Sequence, residues 1–330
     1  MIRAAVIGLG WWGKHMIRRM KESRELAIVL AVDTNQNHAA FAAEHGVAFV
    51  PTFEAALKDP AIDAVILCTP HRQHTAQVAA AAGAGKHVFC EKPLALSGAD
   101  AEASVAACRS ANVVLGIGHE RRYEPALVEL RRLVQSGELG TIMHVEANFS
   151  HDKLAAVPAG DWRTNPKDAP AAGMTAMGIH LTDSFIDMFG PVAEVHAQTA
   201  ARVAYKDNGD VIAVQVRFAS GALGFFSAIL VTPLYIRFAV FGSEAWAEVR
   251  NETHPDTPGP VHLTVQHRDG RREARTYDWT DTVRENLEAF ARACRGQGTY
   301  QFTDAQKIGN IAVLEAIVRS AAEGRPVKIA

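Results

Sequence analysis

A glycine-rich turn between a buried strand and a helix constrains this chain more than any other stretch. Ala4 to Ile7 form an apolar run that stops at Gly8, and Gly10 and Gly13 complete a G-x-G-x-x-G. Met16, Ile17 and Met20 recur at helical spacing on a basic segment, and a second apolar strand ends on Asp33, twenty residues after Gly13. Strand, turn, helix, strand and terminal acid in this order are the pattern of a dinucleotide-binding βαβ unit. Gly8 permits the tight turn, Gly10 leaves room for a pyrophosphate, and Gly13 lets helix and strand pack closely. The helix N-terminus offers N–H groups to the phosphates. Gly8, Leu9, Gly10, Trp11, Trp12 and Gly13 are therefore the expected cofactor loop. Asp33 can accept hydrogen bonds from an unphosphorylated ribose, and its charge repels a 2′-phosphate. The TNQNH that follows holds no arginine to offset that charge. NAD is the expected cofactor, with NADP disfavoured.

At 330 residues the chain is long for one domain and comfortable for two. Apolar residues make up 48% and charged residues 21%, an ordinary globular balance. The net charge is −2 with no basic run, which gives nucleic acid no support as a partner. No apolar stretch approaches the roughly 20 residues of a membrane helix, so no membrane association is expected. The N-terminus enters a strand directly, without a secretory leader, so the expected location is cytoplasmic. Cys68, Cys90, Cys108 and Cys294 are scattered, show no metal-ligand spacing, and read as small hydrophobes in a reducing compartment.

Through about residue 120, strand and helix signals alternate. AIDAVILCTP is an apolar run suited to a central parallel strand, and HVFC is a short strand delivering EKPLALS, with Ser97 placed to cap the next helix. Repeated β–α units imply a doubly wound parallel sheet. Beyond residue 141 the segments read as strands separated by turns at Gly209, Ser220-Gly221, Gly242 and Asp269-Gly270. The expected fold is α/β, an N-terminal Rossmann domain over 1–122 followed over 123–330 by an α+β domain with an open, mainly antiparallel sheet. Two helices end the chain, roughly 281–295 and 303–322, and the last can pack back on the first domain. The 151–172 stretch reads as a functional loop.

With VIGLGWWG, CTPHRQH, CEKPLALS, GIGHERRYEPALVELRRLVQSGELGTI, DWR at 161–163 and GMTAMGIHLTD at 173–183, the chain resembles the glucose–fructose oxidoreductase/inositol dehydrogenase/MocA family from end to end. EKP together with T-P-x-x-x-H is the specific combination. The resemblance implies a nicotinamide enzyme acting on a secondary alcohol of a sugar, cyclitol or related polyol. It implies a small-molecule substrate bound at the open sheet, and a homodimer or homotetramer built on that sheet. Apolar alternation in 211–231 is compatible with a buried face.

Lys92 follows a buried strand at the carboxyl end of the parallel sheet, where ligands bind in such folds. A lysine desolvated there can polarise a hydroxyl or take part in proton transfer. Pro93 fixes the backbone after it, and Glu91 either steadies the loop or touches the nicotinamide. Thr69, Pro70, His71 and His74 follow a strand end and border the nicotinamide half. His180 shares a helical face with Ser184 and Ala176 and can accept a proton near neutral pH; the resemblance makes it the acid–base residue. It also implies a carboxylate four residues earlier, where this chain has Ala176. That departure bears first on substrate identity. Asp183 reads as a structural acid. The resemblance brings the Trp162–Arg163 pair toward cofactor and substrate, and His119, Arg122, Tyr123, Arg163 and Ala176 are further substrate candidates with Lys92 and His180. No metal constellation accompanies them. Two other readings stay open: a redox-neutral NAD-using glycosidase or sugar-modifying enzyme, and a non-catalytic dinucleotide sensor.

Overall fold

The computed structural model describes residues 1–158, 160–203 and 207–329. Position 159 of the 151–172 loop, and with it positions 204–206 and 330 of the 123–330 assignment, thus fall outside the described residues. The chain divides into two compact units, 1–120 with 283–308, and 121–282 with 309–330.

The first unit runs β1 (Ile2–Ile7), α1 (Trp11–Met20), β2 (Leu26–Val32), α2 (Ala39–Glu44), β3 (Ala48–Val50), α3 (Phe53–Lys58), β4 (Ala64–Leu67), α4 (His74–Gly83), β5 (His87–Cys90), α5 (Gly98–Ser110) and β6 (Leu115–Ile117). The six strands are parallel in the order β3-β2-β1-β4-β5-β6, the doubly wound arrangement that the alternation predicts. All of β4 is buried, as an apolar run in a sheet covered on both faces must be. The Ser97 hydroxyl caps α5 by accepting the Asp100 N–H.

The second unit opens with α6 (Pro125–Gln135), whose Ala126, Leu127, Leu130 and Leu133 are buried on one face. Then come β7 (Ile142–Ser150), α7 (Ile179–Phe189), β8 (Val192–Ala200), β9 (Val211–Phe218), β10 (Leu223–Ile229), β11 (Tyr235–Gly242), β12 (Ala245–Asn251), β13 (Val261–His267) and β14 (Arg272–Tyr277). Beyond them lie α8 (Thr282–Cys294), α9 (Asp304–Glu323) and β15 (Val327–Lys328). Among the described residues nine strands form one sheet, β14-β13-β12-β11-β7-β10-β9-β8-β15, in which β7 and β10 pair in parallel and the other neighbours antiparallel. On one face Phe185 of α7 sits 5.4–6.0 Å from the rings of Phe218, Phe226 and Phe238. The opposite face carries the exposed Leu223, Phe225 and Tyr235.

The ending differs from the sequence expectation. It is α8, from Val283, that belongs to the first unit, where Asn286 donates to the Ile117 carbonyl at 2.9 Å and Tyr300 to Asn286 at 2.6 Å. All but the first turn of α9 belongs to the second unit. There Asn310 accepts from Thr182 at 2.6 Å, and Ser320 accepts the Ala197 N–H at 2.9 Å. Polar bonds on an apolar helix decide its neighbour, which hydrophobic spacing alone does not. No helix among the described residues is long and apolar enough to cross a membrane.

Candidate active site

In the first unit the glycine turn is built as its spacing requires. Gly8 adopts φ +93°, and a Cβ on Gly13 would stand 1.9 Å from the Gly8 carbonyl oxygen, so α1 reaches β1 only because that position is bare. A Cβ on Gly10 would meet nothing within 4 Å, and no side chain caps α1. The first N–H groups of this ten-residue helix are available to an anion. Asp33 accepts the Leu9 N–H at 2.6 Å and the Asn35 N–H at 2.8 Å, with His38 Nδ1 at 3.3 Å. A carboxylate has about four acceptor positions, so Asp33 can tie the loop and still receive ribose hydroxyls. Open cradle, uncapped helix and strand-end acid fit a dinucleotide. Trp11 is exposed and Trp12 half-buried, their rings 5.1 Å apart, with His15 stacked on both.

Lys92 follows β5 on a turn whose Lys92–Pro93 peptide is cis. Between Val88 and Ala95 it is the one residue that is not buried. His74 holds this turn. Its Nδ1 lies 2.8 Å from the Pro93 carbonyl oxygen and its Nε2 3.0 Å from that of Thr69. With no accessible surface, His74 has none to offer a cofactor; it sits behind the site and positions Lys92. Burial lowers its pKa, opposed by those two carbonyls. Thr69 donates its hydroxyl to Gln77 at 2.5 Å, Pro70 leads into a 3₁₀ turn, and the His71 ring lies 5.9 Å from that of His74.

Glu91 is buried and accepts the Lys92 N–H at 3.2 Å. Its carboxyl sits where a side chain on Gly118 would be, 2.5 Å from the position of that Cβ. Burial and the nearby Glu120 push its pKa up to about 8, against the Trp12 indole and the Lys92 charge. The indole N–H approaches without completing a hydrogen bond. A protonatable acid beside Lys92 was not legible in E-K-P, because Glu120 and Gly118 lie almost thirty residues further on. His119 is buried against Phe302, ring centroids 6.4 Å apart.

In the second unit His180 begins the second residue of α7, immediately after a π-helical turn over Met174–Gly178. The wider turn alters the simple four-residue relation of Ala176 to His180; such turns recur at functional sites. Ala176 is the only residue of 172–186 that is not buried. His180 is buried, with Phe149 6.0 Å away, and Ser184 donates to its carbonyl at 3.0 Å. Arg122 is committed elsewhere: its guanidinium spans Asp183 at 2.6 and 2.8 Å and Asp187 at 3.0 Å, and Arg131 also binds Asp187. Arg122 therefore serves to fasten α7, and Asp183 is the structural acid expected. Tyr123 follows it, half-buried. The DWR segment forms its own turn, in which Asp161 accepts the Arg163 N–H at 2.8 Å and the Arg163 guanidinium lies 4.2 Å from the Trp162 ring. Asn208 donates to the Arg163 carbonyl at 2.9 Å.

Two family models match the chain. One, described as an oxidoreductase family with an NAD-binding Rossmann fold, covers residues 2–119; the other, the GFO/IDH/MocA C-terminal domain, covers 127–248. A 1,5-anhydro-D-fructose reductase of Ensifer adhaerens is 28% identical over 100% of this chain and 97% of its own. A D-xylose 1-dehydrogenase (NADP+) of Haloferax volcanii is 29% identical over 96% of each. The structure of levoglucosan dehydrogenase with NADH and levoglucosan superposes with a TM-score of 0.87 at 23% identity, covering 99% of both chains.

Proposed function

The chain belongs to the GFO/IDH/MocA family of NAD-binding oxidoreductases, and we propose that it transfers a hydride between nicotinamide and a secondary alcohol of a sugar, cyclitol or related polyol. The observation that carries this reading is Lys92, the single residue of a buried stretch left accessible at the carboxyl end of β5, on a turn braced by His74. The reductase and dehydrogenase names of the full-length relatives support it.

When bound, the nicotinamide supplies the hydride acceptor. The Lys92 ammonium donates to the substrate hydroxyl oxygen and stabilises charge developing there. His180 takes the hydroxyl proton as the carbonyl forms, and returns it in the reverse direction. Asp33 favours NAD over NADP, because its carboxylate would repel a 2′-phosphate. Trp162, Arg163 and Tyr123 of the second unit, and His119 of the first, are further binding residues in this reading.

The exposed Leu223, Phe225 and Tyr235 support assembly of the protein as a homodimer or homotetramer through the open face of its sheet. Four free cysteines support a reducing, cytoplasmic setting. The reading is tested by a screen of NAD reduction across sugars, inositols and sugar acids, repeated with NADP. Reduction by none of them would overturn it.

A further inference from the structure

Two consecutive alanines of the second unit hold a backbone conformation that alanine rarely adopts. Ala171 has φ +57° and Ala172 φ +52°, both in the left-handed region that favours glycine. They directly precede Gly173, whose carbonyl accepts the Gly178 N–H at 3.1 Å and so opens the π-helical turn before His180. Backbone of this kind persists only where its surroundings over-determine it, and it gathers at functional sites.

One residue from a distant hairpin supplies the constraint. Asn208, in the connection between β8 and β9, is buried. Its Nδ2 donates to the Ala169 carbonyl at 2.7 Å and to the Arg163 carbonyl at 2.9 Å. Its backbone carbonyl accepts the Ala172 N–H at 2.7 Å. Both partners of the side chain are carbonyl oxygens, so the amide must turn its nitrogen toward them. Asn208 thus grips the chain at 169 and 172, on either side of Pro170 and Ala171, and again at the Trp162–Arg163 turn.

The grip has a firm foundation. The Asp210 N–H donates to the Ala200 carbonyl at 2.9 Å, and the Asp210 carbonyl accepts the Leu230 N–H at 2.8 Å. Its carboxylate takes the N–H groups of Arg202 and Val203 at 2.9 and 2.7 Å. Between Asn208 and Asp210, Gly209 has φ +83°, and a Cβ there would stand 3.5 Å from the Ala172 Cβ. The hairpin therefore lies against the left-handed pair itself. On the far side of the pair, the Ala171 carbonyl accepts the Met174 N–H at 3.0 Å. A Cβ on Gly173 would fall 2.9 Å from Met177 and 3.2 Å from Ala228 of β10, so the sheet closes the other flank.

We propose that Asn208 is a positioning residue for the proposed reaction: its side chain keeps Ala171 and Ala172 left-handed and thereby sets the start of α7, where His180 lies. The same amide ties the Trp162–Arg163 turn into that register. A displacement of about 1 Å at an acid–base group costs on the order of a hundredfold in rate, so a remote clamp of this kind acts on kcat. The proposal rests on the oxidoreductase reading for the role of His180, and on the second unit alone for its geometry.

The test uses the full chain carrying Asn208→Ala, which keeps the backbone carbonyl and removes both side-chain bonds. Asn208→Ser, which retains a hydroxyl donor, should fall between this variant and wild type and replaces it if it does not fold. NAD reduction is measured with D-xylose, myo-inositol and D-gluconate, NAD binding by tryptophan fluorescence, and amide hydrogen exchange along the chain. The expected result for Asn208→Ala is a kcat lower by about tenfold or more, with the dissociation constant for NAD within a few fold. Amides of 163–178 should exchange about tenfold faster, while those of β9 and β10 keep the wild-type rate. Adding Ala171→Gly and Ala172→Gly to Asn208→Ala should raise kcat again by about threefold, because glycine holds the left-handed conformation without a clamp. Unchanged exchange, or faster exchange with kcat and KM as in wild type, overturns the positioning role. A loss of kcat that the two glycines do not relieve overturns the route through Ala171 and Ala172. A wild type that reduces NAD with none of the sugars, inositols and sugar acids overturns the oxidoreductase reading instead, and the exchange rates then decide the clamp.

Discussion

The imidazole of His74, with no accessible surface, reaches the carbonyl of Pro93 at 2.8 Å and ties the turn carrying Lys92 to the end of β4. Both of its ring nitrogens face carbonyl oxygens, but burial opposes the doubly protonated ring that would satisfy both. Its folded pKa is lowered, so the unfolded chain takes up the proton first. The stability it contributes is present above the unfolded value of 6.5 and is lost as pH falls through the lowered folded value. His74→Gln should flatten the decline in melting temperature below about pH 6.5 and cost about 1–3 kcal/mol at pH 7.5. It should also lower kcat by loosening Lys92, leaving the dissociation constant for NAD within a few fold. A variant whose melting curve keeps the wild-type pH dependence would show that another group titrates.

Replacing the group proposed to act on the hydroxyl separates chemistry from binding. Lys92→Met should reduce turnover by roughly 10²–10⁴-fold or more, while tryptophan fluorescence still reports NAD binding at the Trp11–Trp12 turn. Unchanged turnover would sink the assignment of Lys92. His180→Asn should lower kcat, measured in the same turnover assay.

The glycines, Asp33 and the strand–helix alternation were legible because each depends on local geometry: a turn, a close approach, a strand end. Ser97 as a cap and the open sheet followed from the same kind of rule. What was not legible depends on residues distant in sequence. The Glu91 carboxyl occupies space that Gly118 leaves bare and feels the charge of Glu120, and His74 of α4 meets Pro93 beyond β5. Arg122 resembled a substrate contact until its two aspartates on α7 were in view. The π-helical turn at Met174–Gly178 has no signature in hydrophobic spacing, which reads as an α-helix throughout.

Asp33 has two tasks, and a substitution should reveal both. Asp33→Ser removes the charge that repels a 2′-phosphate and weakens the bond to the Leu9 N–H. NAD binding should weaken by about tenfold to a hundredfold, and the NAD-to-NADP preference should narrow. Titration of each cofactor by fluorescence measures the two constants. A preference that stays as it was would place the selectivity elsewhere in the loop.

Arg122 is predicted to act through structure alone. It is buried with Asp183 and Asp187, and truncating one partner of such a network leaves charge without compensation. Arg122→Ala should destabilise the chain by about 3–5 kcal/mol. Arg122→Lys should recover part of that, without the bidentate bond to Asp183. Denaturant midpoints measure both. Loss of activity in a fully stable Arg122→Ala protein would instead make it a substrate residue.

Glu91 gives the opposite pH signature from His74. Its folded pKa is raised to about 8 by burial first and Glu120 second, far above the ordinary carboxylate value of 4.5. A raised folded value means that the native state holds the proton more tightly than the unfolded chain. The stability it contributes is full below about pH 4.5 and is lost as pH rises through about 8. Glu91→Gln keeps the shape and removes the ionisation, so its melting temperature should match or exceed wild type at pH 8.5 and show no such gain at pH 5. Gly118→Ala should do the reverse at every pH, because the new Cβ falls 2.5 Å from both carboxyl oxygens and must push Glu91 away from the Lys92 backbone. Its expected cost is about 1–3 kcal/mol. If the double variant Glu91→Ala, Gly118→Ala regains most of that loss, the clash is with Glu91 itself. If it regains nothing, the strain at Gly118 lies in the strand backbone and the acid is a bystander.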